Sequence, residues 1–182
     1  MRQIIAFTGM PFSGKTEAVK VGKNMGITVL RMGDLVWEEV ERKNLELNSE
    51  NVGRIATQMR KEYGKDIWAK KTLDKIKKLN QKELIIIDGI RNPEEVNFFK
   101  KEFNKHFVLI AIKSFDKQRY LRAVKRNRKD DSNDIKKIKQ RDRREIKWGL
   151  KKVIEKADIK ISNNKDLESF KNKVKNQLKK YR

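Results

Sequence analysis

Residues 9–16 read Gly9-Met10-Pro11-Phe12-Ser13-Gly14-Lys15-Thr16. This stretch decides the fold of the chain, because it matches the pattern G-x-x-x-x-G-K-[ST] in full. An apolar run at 3–8 precedes it and is typical of a buried parallel strand. A helix is predicted from near Gly14 to the Met25-Gly26 break. Strand, loop and helix in this order are the setting in which the pattern predicts a phosphate-binding loop.

The chemistry of this loop follows from its backbone and two side chains. Main-chain amides of such a loop point at phosphate oxygens, and the following helix presents its positive end to the same charge. Lys15 supplies a mobile cation for the β- and γ-phosphates, and the Thr16 hydroxyl is suited to Mg²⁺. We therefore predict that residues 9–16 bind a nucleoside triphosphate, ATP, together with Mg²⁺.

Strands alternate with helices along the rest of the chain. Four further strands are predicted, at 27–32, 84–88, 107–112 and 158–162. Helices are predicted within 35–80, from Pro93, over 115–128, as one long helix over 134–156, and over 167–181, with a polar loop at 129–133. This alternation indicates a single α/β domain with a five-stranded parallel sheet, whose ligand lies at the carboxyl ends of the strands.

Asp88 ends the clearest buried strand of the sequence, Leu84-Ile85-Ile86-Ile87-Asp88. A parallel sheet would bring its carboxylate beside Thr16, where it can hold Mg²⁺ through a water molecule. An aspartate after a strand can also be a simple helix cap. The nearby phosphate loop favours the metal role.

Two more charged residues follow the ends of predicted strands. Asp34, in Met32-Gly33-Asp34, could take a proton from an acceptor hydroxyl or orient it, and it could equally cap a helix beginning at Leu35. Arg91, in Asp88-Gly89-Ile90-Arg91, either binds a phosphate bidentately or lies on the surface.

The composition narrows the other possibilities. The chain has no cysteine, which excludes disulfides, thiolate metal sites and a cysteine nucleophile. No apolar run reaches transmembrane length and no signal-peptide core opens the chain, so a cytoplasmic protein without membrane contact is expected. The net charge of +22 comes mostly from lysines spread over the predicted helices. It indicates either a solvated basic surface or a polyanionic partner such as RNA or the ribosome.

The sequence resembles the nucleoside monophosphate kinase group of P-loop proteins over nearly its whole length. The motifs that carry the resemblance are Gly-Met-Pro at 9–11, Gly-Lys-Thr at 14–16, Met-Gly-Asp at 32–34 and Asp-Gly-Ile-Arg at 88–91. Within that group it is most similar to archaeal ATP-binding proteins related to dephospho-CoA kinase. The segment from Ala157-Asp158 to Asn163 is similar to the final strand of that enzyme, and this resemblance implies backbone contacts to adenine near Asn163.

The resemblance also implies a three-layer P-loop NTPase fold with three functional parts. Residues 1–34, 81–125 and 157–182 would form the core, 35–80 an acceptor-binding helical insertion, and 126–150 a lid. Lids of this kind bring arginines over the transferring phosphates. The candidates are Arg122, Arg126, Arg128, Arg141, Arg143 and Arg144, of which Arg126 and Arg141 are favoured.

Two positions depart from the pattern of this group. Phe12 stands where the loops of nucleotide kinases commonly carry glycine, so we expect the loop to be less compact there. Trp37 stands where an arginine often grips the acceptor phosphate, and Arg54 or Arg60 could replace that arginine. Trp37 would either stack on an acceptor ring or pack in the core, and the core is favoured.

These expectations combine into a prediction of phosphoryl transfer from ATP, with Mg²⁺, to a small phosphorylated or ribose-containing acceptor. The acceptor would be dephospho-CoA-like, in which case Asp34 acts on a ribose hydroxyl, or a nucleoside monophosphate, in which case Asp34 is structural. The predicted catalytic residues are Lys15, Asp34, Arg91, Arg126 and Arg141. The alternative, supported by the +22 charge, is a P-loop ATPase that acts as an RNA or ribosome-maturation factor.

Overall fold

Five parallel strands form one sheet in the computed structural model, which describes residues 2–79, 84–125 and 134–182. The strands are β1 (Ile4–Thr8), β2 (Thr28–Arg31), β3 (Ile85–Asp88), β4 (Phe107–Lys113) and β5 (Ile159–Ser162). They lie in the order β2-β3-β1-β4-β5, and every neighbouring pair is parallel. β1 is central, and Phe7 on it is in register with Asp88 on β3. The end of β3 therefore lies beside the loop that follows β1.

Nine α-helices connect or flank these strands within the described ranges. They are α1 (Lys15–Asn24), α2 (Met32–Arg42), α3 (Ser49–Tyr63), α4 (Ile67–Lys77), α5 (Pro93–Phe103), α6 (Asp116–Lys125), α7 (Ile135–Lys147), α8 (Leu150–Glu155) and α9 (Leu167–Lys179). A short 3₁₀ turn, Asn104–His106, precedes β4.

The core lies on both faces of the sheet, because successive side chains of a strand point to opposite sides. Ile4 and Ala6 of β1 pack in a cluster with residues of α2, α3, α4, α5 and α8. Ile5 and Phe7 pack in a second cluster with residues of α1 and α9. All five β1 residues are buried, as parallel strands covered by helices on both faces must be. The predicted three-layer α/β fold with a five-stranded parallel sheet is confirmed.

Two predicted element boundaries are wrong. The long helix predicted over 134–156 is interrupted, because α7 ends at Lys147 and Gly149 adopts φ +107° before α8 begins. A Cβ at Gly149 would press against the ring of Pro93, so the chain turns where α5 approaches it. The helix expected from Leu35 already begins at Met32, directly after β2, which places Asp34 in the first turn of α2 rather than at its cap. The predicted loop at 129–133 lies outside the described residues.

No helix in the described ranges is both long and apolar enough to cross a bilayer.

Candidate phosphate site and the cavity around it

One large cavity, of about 810 Å³, opens beside the phosphate loop. Its walls come from that loop and from residues of α1, α2, α3, α7 and the segment after β3. This is the position at which α/β sheets bind ligands, outside the carboxyl ends of the strands. The cavity is lined both by the phosphate loop and by residues of the predicted acceptor-binding insertion.

Lys15 is buried at the centre of the loop. Its ammonium group donates hydrogen bonds to the carbonyl oxygens of Gly9, at 2.6 Å, and Met10, at 3.0 Å. Burial, together with the nearby Arg91 guanidinium, lowers the pKa of Lys15 to about 7. Near neutral pH its charge is therefore sensitive to the surroundings, and an arriving polyphosphate would favour the protonated form.

The far side of the loop rests on Asn163, which is buried just after β5. Its side-chain amide donates to the Ser13 carbonyl at 2.8 Å, and a Cβ at Gly14 would overlap that amide. The main-chain amide and carbonyl of Asn163 also hydrogen-bond within the protein, to Lys113 and Arg122 respectively. Asn163 lines the cavity, and its predicted contact with adenine stays a prediction.

Phe12 adopts φ +62°, a left-handed conformation that is costly for a bulky residue, by about 1–3 kcal/mol. Glycine adopts this conformation freely, which explains physically why a glycine would suit the position. Here the ring is buried against Ala123 of α6 and Ile138 of α7. The guanidinium of Arg141 lies 5.7 Å from the ring centre. The burial of Phe12 offsets the backbone strain and ties the loop to α7.

A buried ion pair strengthens the same connection. Arg119 of α6 is 1% exposed, and it donates to the Pro11 carbonyl at 2.8 Å and to both carboxylate oxygens of Asp142, at 3.2 and 2.7 Å. One guanidinium therefore links the phosphate loop, α6 and α7. Neither Arg119 nor Asp142 was identified from the sequence, since nothing local indicates that they meet.

Asp88 and Thr16 both line the cavity, as expected for a magnesium site. The Asp88 side chain is 14% exposed, and Arg31 approaches one of its oxygens at 3.7 Å. The other oxygen, Oδ1, is buried and has no hydrogen-bond partner among the described residues. A buried carboxylate oxygen without a hydrogen-bond partner is suited to ligate Mg²⁺, or to accept a hydrogen bond from a water bound to the ion. Asp88 and Thr16 therefore fit Mg²⁺.

Arg91 reaches the cavity from the loop between β3 and α5. Its Nε lies 2.8 Å from Glu145 Oε2, and its Nη1 is buried without a hydrogen-bond partner among the described residues. Glu95 fixes the backbone nearby, because its carboxylate accepts from the main-chain amide of Arg91 at 2.7 Å within the capping box that Asn92 begins. Arg91 is therefore a cation held in place in the cavity wall. It is not the surface residue that the sequence left open as an alternative.

Glu145 is the main residue of the site that the sequence did not reveal. It is buried on α7 between Arg91 and Arg141, whose Nε lies 3.2 Å from Glu145 Oε1. Burial alone would raise the pKa of this carboxyl, but Arg91, Arg141 and Lys15 outweigh it and lower the pKa to about 2. The only signal in the sequence was that Arg141 and Glu145 are four residues apart on one face of a helix, which predicts that they pair. This spacing does not predict that Glu145 also lies near Arg91 and Lys15.

Of the remaining predicted residues that the structure describes, Arg122 lines the large cavity, whereas Asp34 and Arg143 do not. Asp34 pairs with Arg31 at 3.0 Å and borders a separate small cavity, not the large one, so the fold does not bring it to the phosphate loop. Arg126 and Arg128 lie outside the described residues, and their lid roles stay predictions. Arg122 holds the carbonyl of Asn163 at 2.8 Å. Arg143 is exposed and does not line the cavity.

The opposite wall is aromatic and basic. Trp37 is half-buried, lines the cavity and belongs to none of the apolar core clusters of the described residues, so its favoured core packing is not what the structure shows. Arg60 is buried, pairs with Glu95 at 2.8 Å and stacks on Trp148 at 4.4 Å. Arg54 is exposed and contacts Asn51. Of the two arginines proposed to replace the missing one, only Arg60 lines the cavity.

Comparison with known proteins agrees with this architecture. A family described as "AAA domain" matches residues 8–139. A gluconokinase from Sinorhizobium meliloti superposes with a TM-score of 0.60 at 10% identity, covering 98% of this chain and 92% of that one. A shikimate kinase from Acinetobacter baumannii, in complex with shikimate, gives a TM-score of 0.59 at 12% identity, with 98% and 92% covered. At these identities the structures show the fold alone, which is that of P-loop kinases.

A sequence relative at higher identity comes from an archaeon. The UPF0200 protein of Methanosarcina mazei is 41% identical over 181 residues, which are 100% of this chain and 96% of that protein. The predicted membership of a P-loop group with archaeal relatives is confirmed, and the relatives carry the UPF0200 name rather than that of dephospho-CoA kinase. The chain thus belongs to the AAA domain family of P-loop proteins and to the UPF0200 proteins.

Proposed function

We propose that this protein transfers the γ-phosphoryl group of ATP, bound with Mg²⁺, to a small-molecule acceptor. One observation carries the proposal: Lys15, Arg91 and Arg141 reach a single cavity from α1, the β3–α5 loop and α7. A site that only bound phosphates could use the loop alone. Cations that approach from several elements suit a phosphoryl group on which charge spreads over three oxygens during transfer.

The proposed roles follow from position. The loop amides and Lys15 hold the β- and γ-phosphates, while Thr16 and Asp88 hold the metal ion. Mg²⁺ would neutralise charge on the β- and γ-oxygens. Arg91 and Arg141 would also contact the transferring group, because Glu145 holds both guanidinium groups in the wall of the same cavity. Phe12 and Arg119 keep α7 against the loop, in line with the proposed role of 126–150 as a lid.

The transfer breaks the bond between the γ-phosphorus and the β–γ bridging oxygen and forms one to an acceptor oxygen. ADP leaves with the electron pair of the broken bond. A hydroxyl acceptor, as in dephospho-CoA, must also lose a proton to a base, whereas a monophosphate attacks with an oxygen that is already ionised. The placement of Asp34 outside the cavity and the low pKa of Glu145 favour the nucleoside monophosphate-like acceptor over the dephospho-CoA-like one.

The test is transfer of labelled γ-phosphate from ATP to a panel of acceptors. The panel contains the nucleoside monophosphates, dephospho-CoA, nucleosides and RNA ends, with water alone reporting plain hydrolysis. We expect a phosphorylated product with at least one monophosphate at a rate well above hydrolysis. Asp34→Asn should retain most of that rate, and a large loss would instead indicate a hydroxyl acceptor with Asp34 as its base. Hydrolysis without any phosphorylated product would contradict the proposal.

A second candidate function is supported by the net charge of +22. An ATPase that matures RNA or ribosomes would bind RNA through many phosphate contacts, so its affinity would fall steeply as salt rises. Binding of total ribosomal RNA, measured by filter retention from about 50 to 200 mM KCl, distinguishes the two functions. For a small-molecule kinase with a solvated basic surface, we expect only weak binding at the upper salt concentration. Tight binding there, together with RNA-stimulated hydrolysis, would favour the ATPase.

A further inference from the structure

Arg144 is seated over a glycine on the acceptor side of the cavity. It belongs to α7, and its guanidinium packs directly on Gly53 of α3, where a Cβ would overlap the guanidinium carbon and two of its nitrogens. Gly53 is buried in the middle of α3, where glycine is otherwise unfavourable. The glycine therefore makes room for a positively charged group at the point where α3 and α7 meet.

Arg144 is half-buried, and it lacks the close carboxylate that three other arginines of the described residues have. Arg60 pairs with Glu95, Arg119 with Asp142, and Arg91 with Glu145. Arg144 has no carboxylate within 4.0 Å in the described ranges, and a 3.4 Å contact to Ser49 Oγ is its one hydrogen bond there.

The partial burial of Arg144 makes the lack of a close carboxylate unfavourable. Arg144 Nε is buried without a hydrogen-bond partner among the described residues, and burial lowers the pKa of this guanidinium. A partly buried charge without a close counter-ion is unfavourable, so this guanidinium is suited to bind an anion that enters the cavity.

The wall around Arg144 suits a planar compound. Trp37, Trp148, Val52 and Ala56 line the same cavity as Arg144. The guanidinium groups of Arg60 and Arg144 lie 4.4 and 5.8 Å from the centre of the Trp148 ring. Trp37 belongs to no apolar core cluster of the described chain, and Arg31 lies 5.4 Å from the centre of its ring, so a ligand ring would use the other face. Aromatic side chains in a cavity wall are suited to stack on a flat ring, and a cation in the same wall is suited to fix the orientation of an acidic group.

We infer that Arg144 binds the acidic group of the acceptor, and that the acceptor is a planar ring compound whose ring lies against Trp37. This inference rests on the proposed function, since it names the class of molecule that receives the phosphoryl group. It also assigns to α7 the task that the group this sequence resembles often gives to an arginine at the position of Trp37.

The experiment measures acceptor binding apart from transfer. Wild-type protein, Arg144→Ala and Arg143→Ala are titrated with AMP, GMP, CMP, UMP and dephospho-CoA, and with the corresponding nucleosides, while tryptophan fluorescence is followed. Saturating MgADP is present so that the probes report the acceptor side. Ribose 5-phosphate, which has the acid but no ring, tests the contribution of the ring. Arg143 is the matched control, because it is the adjacent arginine of α7 but is exposed and outside the cavity.

For at least one ring monophosphate, we expect Arg144→Ala to raise Kd about tenfold to a hundredfold, the range for losing a charged hydrogen bond. Arg143→Ala should stay within about twofold of wild type, the corresponding nucleoside should respond little, and ribose 5-phosphate should bind more weakly. Gly53→Ala, which displaces the guanidinium without removing its charge, should reproduce the loss. Urea unfolding of Arg144→Ala should show undiminished stability, because a half-buried charge without a close carboxylate has been removed.

Equal Kd values for Arg144→Ala and Arg143→Ala across the panel would overturn the inference, as would no binding of any member to wild type. The two proposals can fail separately. Arg144-dependent binding without phosphoryl transfer would remove the proposed function and leave the binding site. Phosphoryl transfer with the same acceptor KM in Arg144→Ala and Arg143→Ala would support the proposed function and contradict the proposed role of Arg144 in acceptor binding.

Discussion

Replacing Lys15 with methionine is expected to lower the rate of γ-phosphoryl transfer about 100- to 1000-fold, the usual effect of removing one group that stabilises charge in a transition state. Methionine keeps most of the length and apolar volume of the side chain, so the loop should keep its packing. What is lost is the ammonium group that now donates to the carbonyls of Gly9 and Met10 and would turn to the phosphates. The measurement is labelled transfer from MgATP to the best acceptor of the panel, or to water.

Lys23→Met is the matched control, because Lys23 is an exposed lysine in the last turn of the same helix and does not line the cavity. Its rate should stay within about twofold of wild type, in line with the small effects of changes on a solvated surface. The stability of Lys15→Met should not fall, since burial opposes the charge of Lys15 in the folded protein. Unchanged transfer by Lys15→Met would remove the assignment of residues 9–16 as the donor site.

Replacing Glu145 with glutamine should reduce the free energy of unfolding at pH 7 by about 3 kcal/mol, as expected from the pKa difference between the two states. The variant keeps the shape of the side chain but leaves Arg91, Arg141 and Lys15 around a neutral amide. The pKa of Glu145 is about 2 in the folded protein and 4.5 when unperturbed. A carboxyl whose pKa is lowered by folding stabilises the protein above the unfolded value and loses that effect as the pH falls toward the folded one.

The difference in unfolding free energy between wild type and Glu145→Gln should therefore shrink steadily as the pH falls below about 4.5. Urea unfolding at several pH values measures it, because the other carboxyl groups are common to both proteins. Glu155→Gln, on the exposed side of the adjacent α8, should differ from wild type by no more than about 0.5 kcal/mol. A Glu145→Gln variant as stable as wild type at pH 7 would show that this carboxylate does not hold the cations together.

The phosphate loop, the order of the strands along the chain and the class of the fold could all be predicted from the sequence. Each depends on residues that are close together, or on periodic burial within one element. Gly14 and Lys15 follow a buried strand and begin a helix, so their roles can be inferred from about twenty neighbours. Asp88 could be placed beside the loop because parallel strands bring their carboxyl ends to the same edge.

Residues on the opposite side of the cavity could not be predicted in this way. Asp34 looked like an acceptor-side carboxylate, but α2 begins three residues earlier than expected and turns Asp34 toward Arg31. Glu145 looked like any charged residue of a basic helix. Its partner Arg91 lies more than fifty positions away, and only the docking of α7 on the loop brings the two together.

The sequence by itself therefore determined the P-loop α/β fold of this protein and predicted a triphosphate site at residues 9–16. The reason is that the loop is a local structure, made by consecutive amides, two glycines and the start of one helix. The tertiary structure decided what surrounds that loop: Arg91 and Arg141 are joined by Glu145, Phe12 is strained but buried against α7, and Arg144 lies over Gly53. Those relations join side chains from α3, α7 and the β3–α5 loop, and only the packing of these elements around a common cavity brings them together.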